Sequence, residues 1–174
     1  MIFKELKLKG AYLIELNRFG DKRGFFTRTF CAREFSKLGL EENFVQSNWS
    51  FSESKDTLRG LHFQTGDAAE SKLVRCTRGR LIDVIVDIRK DSTTYLQHHS
   101  EELSHENGKM LYVPRGFAHG FITLEDRSEI FYQVSNYYNK EMEAGIRWDD
   151  PKLNIQWPVK EPIVSDKDLS HNFL

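Results

Sequence analysis

The 174-residue chain has little sulfur chemistry: only two cysteines, Cys31 and Cys76, too far apart to read as a metal-spaced pair. Two such thiols suit a reducing compartment, so a cytoplasmic protein is expected. There is no excess of one charge, with 25 Lys and Arg against 26 Asp and Glu. This balance gives no basic field for nucleic acid, although a local Lys/Arg cluster can still hold one phosphorylated small molecule. No run approaches the roughly 20 apolar residues that cross a bilayer, so no membrane association is expected. The opening MIFKELKLKG mixes charged and apolar positions and lacks the apolar core of a signal peptide. The four prolines mark no linker and no repeat stands out, so residues 1–174 are expected to form a single domain. That length can bury a core without disulfides or a structural metal.

What is present is a series of short apolar segments between turn signals. Candidate strands are Tyr12–Leu16, Gly24–Cys31, Phe44–Ser50, Leu58–Gln64, Lys72–Thr77, Arg80–Ile88, His99–Leu103, Met110–Val113, Phe117–Leu124 and Glu129–Val134. The clearest places Ile82, Val84, Val86 and Ile88 on one face and Asp83 and Asp87 on the other. Gly79-Arg80 before it predicts a tight hairpin. One helix is predicted over Ala32–Leu38, closed by Gly39, and a helical turn within Tyr137–Met142. Many strands with one or two short helices predict an all-β antiparallel jelly roll.

Two segments carry chemistry. In Arg59-Gly60-Leu61-His62-Phe63-Gln64, an extended strand turns His62 and Gln64 one way and Leu61 and Phe63 the other. Leu61 and Phe63 suit a core, and His62 and Gln64 the lining of a cup. Strict alternation puts Arg59 on the face opposite His62. In Pro114-Arg115-Gly116-Phe117-Ala118-His119-Gly120, the P-x-G-x-x-H spacing resembles the second motif of cupins. Metal-binding cupins carry a second histidine where this chain has Gln64. His62 and His119 alone do not make up the three or four ligands that a transition metal needs, so no metal and no other cofactor is expected. His98, His99, His105 and His171 lie in polar surroundings and read as surface residues.

Beyond these two segments, Arg23–Phe26, Asn48-Trp49-Ser50, Lys72–Cys76, Asp83–Lys90, Tyr132–Tyr138, Trp148–Pro151 and Ser165–Asp168 follow in order along the chain. Together the nine segments resemble the dTDP-4-dehydrorhamnose 3,5-epimerase family almost end to end. The resemblance implies a cupin-type jelly roll and proton transfer at C3 and C5 of a nucleotide-linked 4-keto-6-deoxy sugar. Both carbons flank the ketone, so removing either proton gives an enolate. By resemblance His62 is the base, Asp168 its orienting carboxylate, Tyr132 the acid on the opposite face, and Lys72 the partner of the enolate or nearby hydroxyls. His119, paired with Asp83, shapes the pocket floor. Arg23 and Arg59 meet the diphosphate, with Phe26, Arg28, Gln46, Asn48 and Tyr138 as further binding residues. The family also implies a homodimer in which the segment near Arg23 reaches the neighbouring site.

Two positions depart from the family pattern. Arg28 stands where members carry a glutamate, and Ser47-Asn48-Trp49 where Asp-Asn-His is common. Arginine only donates hydrogen bonds, whereas thymine N3–H needs an acceptor. A CDP- or GDP-linked sugar therefore stands beside dTDP as an expectation. So do a mono-epimerase, a keto-isomerase and a non-catalytic sugar-nucleotide-binding cupin.

Overall fold

In the computed structural model, which describes residues 1–174, the short apolar segments pair into two facing antiparallel sheets. One has six strands in the order β1 (Ile2–Glu5), β2 (Tyr12–Glu15), β10 (Lys109–Val113), β7 (Lys72–Arg78), β12 (Ser128–Val134) and β5 (Gln46–Ser52). The other has five, in the order β13 (Glu143–Gly145), β6 (Leu58–Gln64), β11 (Phe117–Thr123), β8 (Arg80–Asp87) and β9 (His98–Ser104). A separate hairpin joins β3 (Phe19–Asp21) to β4 (Gly24–Phe26). The helices are short: α1 (Ala32–Ser36) and α2 (Asp166–Leu169). The all-β jelly roll expected from the strand pattern is the architecture observed. No helix is long and apolar enough to cross a membrane.

Between the sheets, Val74, Cys76 and Ile130 meet Leu81, Ile85, Phe117 and Phe121 in the largest core cluster. Each sheet is also covered on its outer face. Phe35 of α1 seals Ile14, Leu73 and Met110, with Phe3 and Phe30 edge-on to it at 5.2 and 4.9 Å between ring centroids. Ile146 and Leu153 cover Leu61, Val86 and Ala118. Strand β8 is therefore buried on both faces. Asp83 and Asp87 share the inner face with Leu81 and Ile85, and both carboxylates are fully buried. Each survives there because it is paired: Asp83 with His119, and Asp87 with Arg89, Ser92 and Thr94. Burial pushes Asp87 up, but those hydrogen bonds outweigh it and leave its pKa well below the usual carboxylate range.

Several local expectations are corrected. Gly79 does not close a hairpin, because β7 and β8 belong to different sheets. At φ +71° it carries the chain across the sandwich, and a Cβ there would fall 2.4 Å from Ser128 Oγ. Tyr137–Met142 holds a turn closed by Met142 N–H donating to Asn139 O at 3.1 Å, not a helix. The strand expected over Gly24–Cys31 ends at Phe26, and that expected over Phe44–Ser50 runs from Gln46 to Ser52. The helix expected over Ala32–Leu38 ends at Ser36, with Gly39 left-handed at φ +67° just beyond. Strands β1, β3 and β13 and helix α2 had no periodic signal of their own.

The backbones of β6 and β11 approach closely where two glycines face each other. Gly60 has φ +128°, and a Cβ on it would lie 2.6 Å from Gly120 Cα. Gly60→Ala is expected to destabilise the fold by about 1–3 kcal/mol through overpacking alone. Urea unfolding should show a lower midpoint at unchanged slope, whereas an unaltered midpoint would contradict this packing.

Candidate active site

The two glycines also set where the polar residues point. Along β11 the pairing moves two residues, from His119 to Phe121, while along β6 it moves three, from His62 to Arg59. This bulge resets the alternation. Arg59, expected on the far face, therefore opens into the same cleft as His62, Lys72, His119, Tyr132 and Asp168. The cleft has a volume of about 520 Å³. A smaller recess of about 200 Å³ shares His62, Lys72 and Tyr132 with it and adds Gln46, Asn48 and Tyr138. On the opposing sheet the register aligns Asn48 with Tyr132 and Val74, and Gln46 with Val134 and Lys72. One inward face is thus apolar at Val74, Cys76 and Ile130, and polar toward Lys72, Asn48 and Gln46.

At the centre, His62 Nε2–H donates to Asp168 Oδ1 at 2.7 Å. Gly60 N–H donates to the other carboxylate oxygen, Oδ2, at 3.0 Å. Asp168 is buried on α2, whose first turn is capped by the Ser165 hydroxyl accepting from Asp168 N–H at 3.2 Å. Burial raises the Asp168 pKa, but the hydrogen bonds from His62 and Gly60 outweigh it, and the carboxyl titrates below its ordinary range. The carboxylate fixes the ring and its tautomer. With the hydrogen on Nε2, the lone pair is on Nδ1. On the neighbouring strand His119 Nε2 lies 2.9 and 3.0 Å from the two oxygens of the fully buried Asp83, which gives the floor a second oriented imidazole.

Lys72 Nζ is 3.2 Å from Glu70 Oε1, with both side chains about 10% exposed, and 6.0 Å from the centre of the Tyr132 ring. Burial raises the Tyr132 pKa and the Glu70 charge adds to it, while Arg59 pulls the other way. The phenol therefore stays protonated near neutrality, the form required of a proton donor. The chain holds an oriented imidazole, a protonated phenol and an ammonium group around one cleft. Such a set can remove a proton, stabilise the anion left behind and return a proton.

Not every candidate converges. Arg23 and Phe26 lie on the exposed β3–β4 hairpin, Arg23 bound to Asp21 at 2.5 Å with its side chain 83% exposed. Arg28 is exposed and faces Glu34 at 3.9 Å. None of the three lines the cleft within this chain. Three residues near the pocket, Glu70, Glu143 and Lys167, were given no role in the sequence, and a fourth, His171, was placed wrongly. Lys167 Nζ donates to Glu143 Oε1 at 2.6 Å, and Tyr138 OH donates to Glu143 Oε2 at 3.0 Å. The Lys167 bond and charge hold Glu143 below the ordinary carboxylate range. His171 is no surface residue: its side chain is 14% exposed, and its ring packs edge-on to His62 at 5.8 Å between centroids. Burial and the neighbouring His62 lower its pKa. Its place three residues after Asp168, one helical turn on, was the signal available. His98 and His99 are also half-buried, whereas His105 is exposed.

Because the fold favours the Asp168 carboxylate, its stabilisation is complete above the ordinary carboxylate pKa of about 4 and is lost as pH falls through the lower folded value. Asp168→Asn is expected to cost about 1–3 kcal/mol near pH 7. Urea midpoints of variant and parent should converge in acid; a gap independent of pH would contradict the assignment.

Known proteins match this chain over almost its whole length. The sequence model described as dTDP-4-dehydrorhamnose 3,5-epimerase matches residues 5–174. The dTDP-4-dehydrorhamnose 3,5-epimerase of Shigella flexneri is 46% identical over 165 residues, 94% of this chain and 91% of the relative. The crystal structure of the Bacillus anthracis enzyme with TDP and PPi bound superimposes with a TM-score of 0.97 at 43% identity, covering 99% of each chain. The epimerase from Legionella pneumophila in complex with dTDP-4-keto-L-rhamnose gives a TM-score of 0.93 at 38% identity, covering 99% of this chain and 92% of that one. With a match this complete in sequence and fold, the chain belongs to the dTDP-4-dehydrorhamnose 3,5-epimerase family.

Proposed function

We propose that this protein is an isomerase that inverts C3 and C5 of dTDP-4-dehydro-6-deoxyglucose, giving dTDP-4-dehydrorhamnose. The observation that carries the reading is the His62–Asp168 pair opening into the same cleft as Tyr132 and Lys72. His62 Nδ1 takes the proton beside the ketone, and Asp168 stabilises the imidazolium formed. The electron pair moves onto the C4 oxygen, where the Lys72 ammonium meets the enolate charge. Tyr132 returns a proton from the opposite face, which inverts the carbon. His119, held by Asp83, and Arg59 line the sugar and diphosphate end. Gln46, Asn48 and Tyr138 border the recess. The ligands of the two solved relatives, TDP and dTDP-4-keto-L-rhamnose, support dTDP as the nucleotide. Two free thiols support a cytoplasmic location.

The working unit is a homodimer in this reading. The β3–β4 hairpin exposes Phe19, Phe25 and Phe26, and β5 exposes Trp49 and Phe51. A two-stranded hairpin has little stability alone, and apolar faces of this kind suit burial against a second copy. Docked there, the hairpin would bring Arg23 and Phe26, and Arg28 just beyond it, to the partner's cleft.

Two experiments test these assignments. His62→Asn should lower turnover about a hundred- to ten-thousand-fold, the range for loss of a general base. Tyr132→Phe should still release the substrate proton to solvent while losing inverted product. Full turnover in His62→Asn would overturn the mechanism. For the dimer, mixing inactive Arg23→Ala with inactive His62→Asn should restore about a quarter of parental activity, because half of random dimers carry one intact site. No recovery after verified subunit exchange would remove the shared site.

A further inference from the structure

Behind the catalytic pair lies a third ligand-type side chain that the reaction does not use. His171 Nε2 is buried without a hydrogen-bond partner, 3.8 Å from Asp168 Oδ1. That separation is too long for a hydrogen bond. The ring occupies space left by Gly145, where a Cβ would fall 2.2 Å from His171 Nε2. The tail that carries it is docked, with Arg147 N–H donating to Asn172 O at 3.2 Å. A buried ring nitrogen rarely goes unpaired without a reason.

We propose that His62, Asp168 and His171 form an inhibitory site for a borderline divalent transition metal of the Zn²⁺ class. The inhibition, though not the binding, rests on His62 being the base. The three donor atoms, His62 Nε2, Asp168 Oδ1 and His171 Nε2, lie within 4.8 Å of one another. Zinc bonds of about 2.0–2.1 Å place tetrahedral ligands about 3.3 Å apart. The observed separations of 2.7 and 3.8 Å from Asp168 Oδ1 bracket that spacing. Asp168 Oδ2 is already held by Gly60 N–H, which leaves Oδ1 oriented for a cation, as the outer shell of a metal site requires. Two imidazoles and one carboxylate suit Zn²⁺ better than Mg²⁺ or Ca²⁺. Water completes the fourth position, and His62, with a third of its side chain exposed, gives access from the cleft.

The consequence for the reaction follows from the tautomer. A neutral imidazole that ligates through Nε2 carries its single hydrogen on Nδ1. Metal binding therefore moves that hydrogen from Nε2 to Nδ1, with no net change in the ring's protons, and removes the lone pair that takes the substrate proton. The Asp168 Oδ1 acceptor is occupied at the same time.

The test uses the full chain, freed of metal by chelator, with Zn²⁺ and the spectroscopic probe Co²⁺. Zn²⁺ affinity is measured by competition with a chromogenic chelator, without substrate, and turnover is followed separately as Zn²⁺ is added. The parent is expected to bind one tight Zn²⁺, to show the intense visible bands of tetrahedral Co²⁺, and to lose turnover at the same occupancy. His171→Asn should remain active in chelator, lose the tetrahedral bands, and need at least about tenfold more Zn²⁺ for half inhibition. His99→Asn, on the edge strand β9, should behave as the parent. Equal inhibition of His171→Asn and parent, or loss of the tight site in His99→Asn instead, would overturn the proposal. Tight, His171-dependent binding in a protein without epimerase activity would uphold the metal site and sink the functional reading. An active epimerase that lacks the tight site would do the reverse.

Discussion

One hydrogen bond organises this molecule: that between His62 and Asp168, residues 106 positions apart. It fastens the C-terminal helix to the middle of a central strand and sets the tautomer of the imidazole that faces the cleft. Its geometry depends on three backbone features. Gly60 and Gly120 allow β6 and β11 to come close enough for a bulge. The Gly60 N–H fixes the second carboxylate oxygen, and the Ser165 cap fixes the turn from which Asp168 projects. Fold and site share the same atoms here, because the contact that docks the C-terminal segment also orients the imidazole.

The polar groups of the site, buried on its floor and exposed at its rim, are mostly paired. Asp83 holds His119, Glu70 faces Lys72, and Glu143 bridges Lys167 and Tyr138. Pairing offsets the cost of removing charge from water and also fixes direction, so the groups are aimed before substrate arrives. Opposite them, the inner face of β7 and β12 changes from apolar to polar along its length. The sandwich is closed at one end by a core and open at the other as a cup.

Much of this was legible in the sequence, and the gaps have physical causes. Period-two alternation located nearly all the long strands and turned His62 and Gln64 away from Leu61. It failed at Arg59, because a bulge adds a residue that no period records; at Asp83 and Asp87 it separated the faces of the strand but carried no sign that both faces are covered. The Gly79 turn looked like a hairpin, since local sequence specifies a reversal but not the sheet that the chain enters next. Asp168 lay in a segment whose composition is that of a solvated turn, and only its likeness to a family singled it out. Glu143 and Lys167 belong to segments with no periodicity, joined by a long-range pair. His171 was read as a surface residue because polar neighbours in sequence say nothing about a ring tucked into the space above Gly145.

The fate of two carbon-bound hydrogens tests the proposed role of His62 most directly. NMR of dTDP-4-dehydro-6-deoxyglucose with the enzyme in heavy water follows both positions at once. Deuterium should enter at C3 and at C5, and both incorporations should disappear when His62 is replaced by Asn. Deuterium at neither carbon with the parent enzyme, or undiminished incorporation without His62, would contradict the assignment of this imidazole as the base.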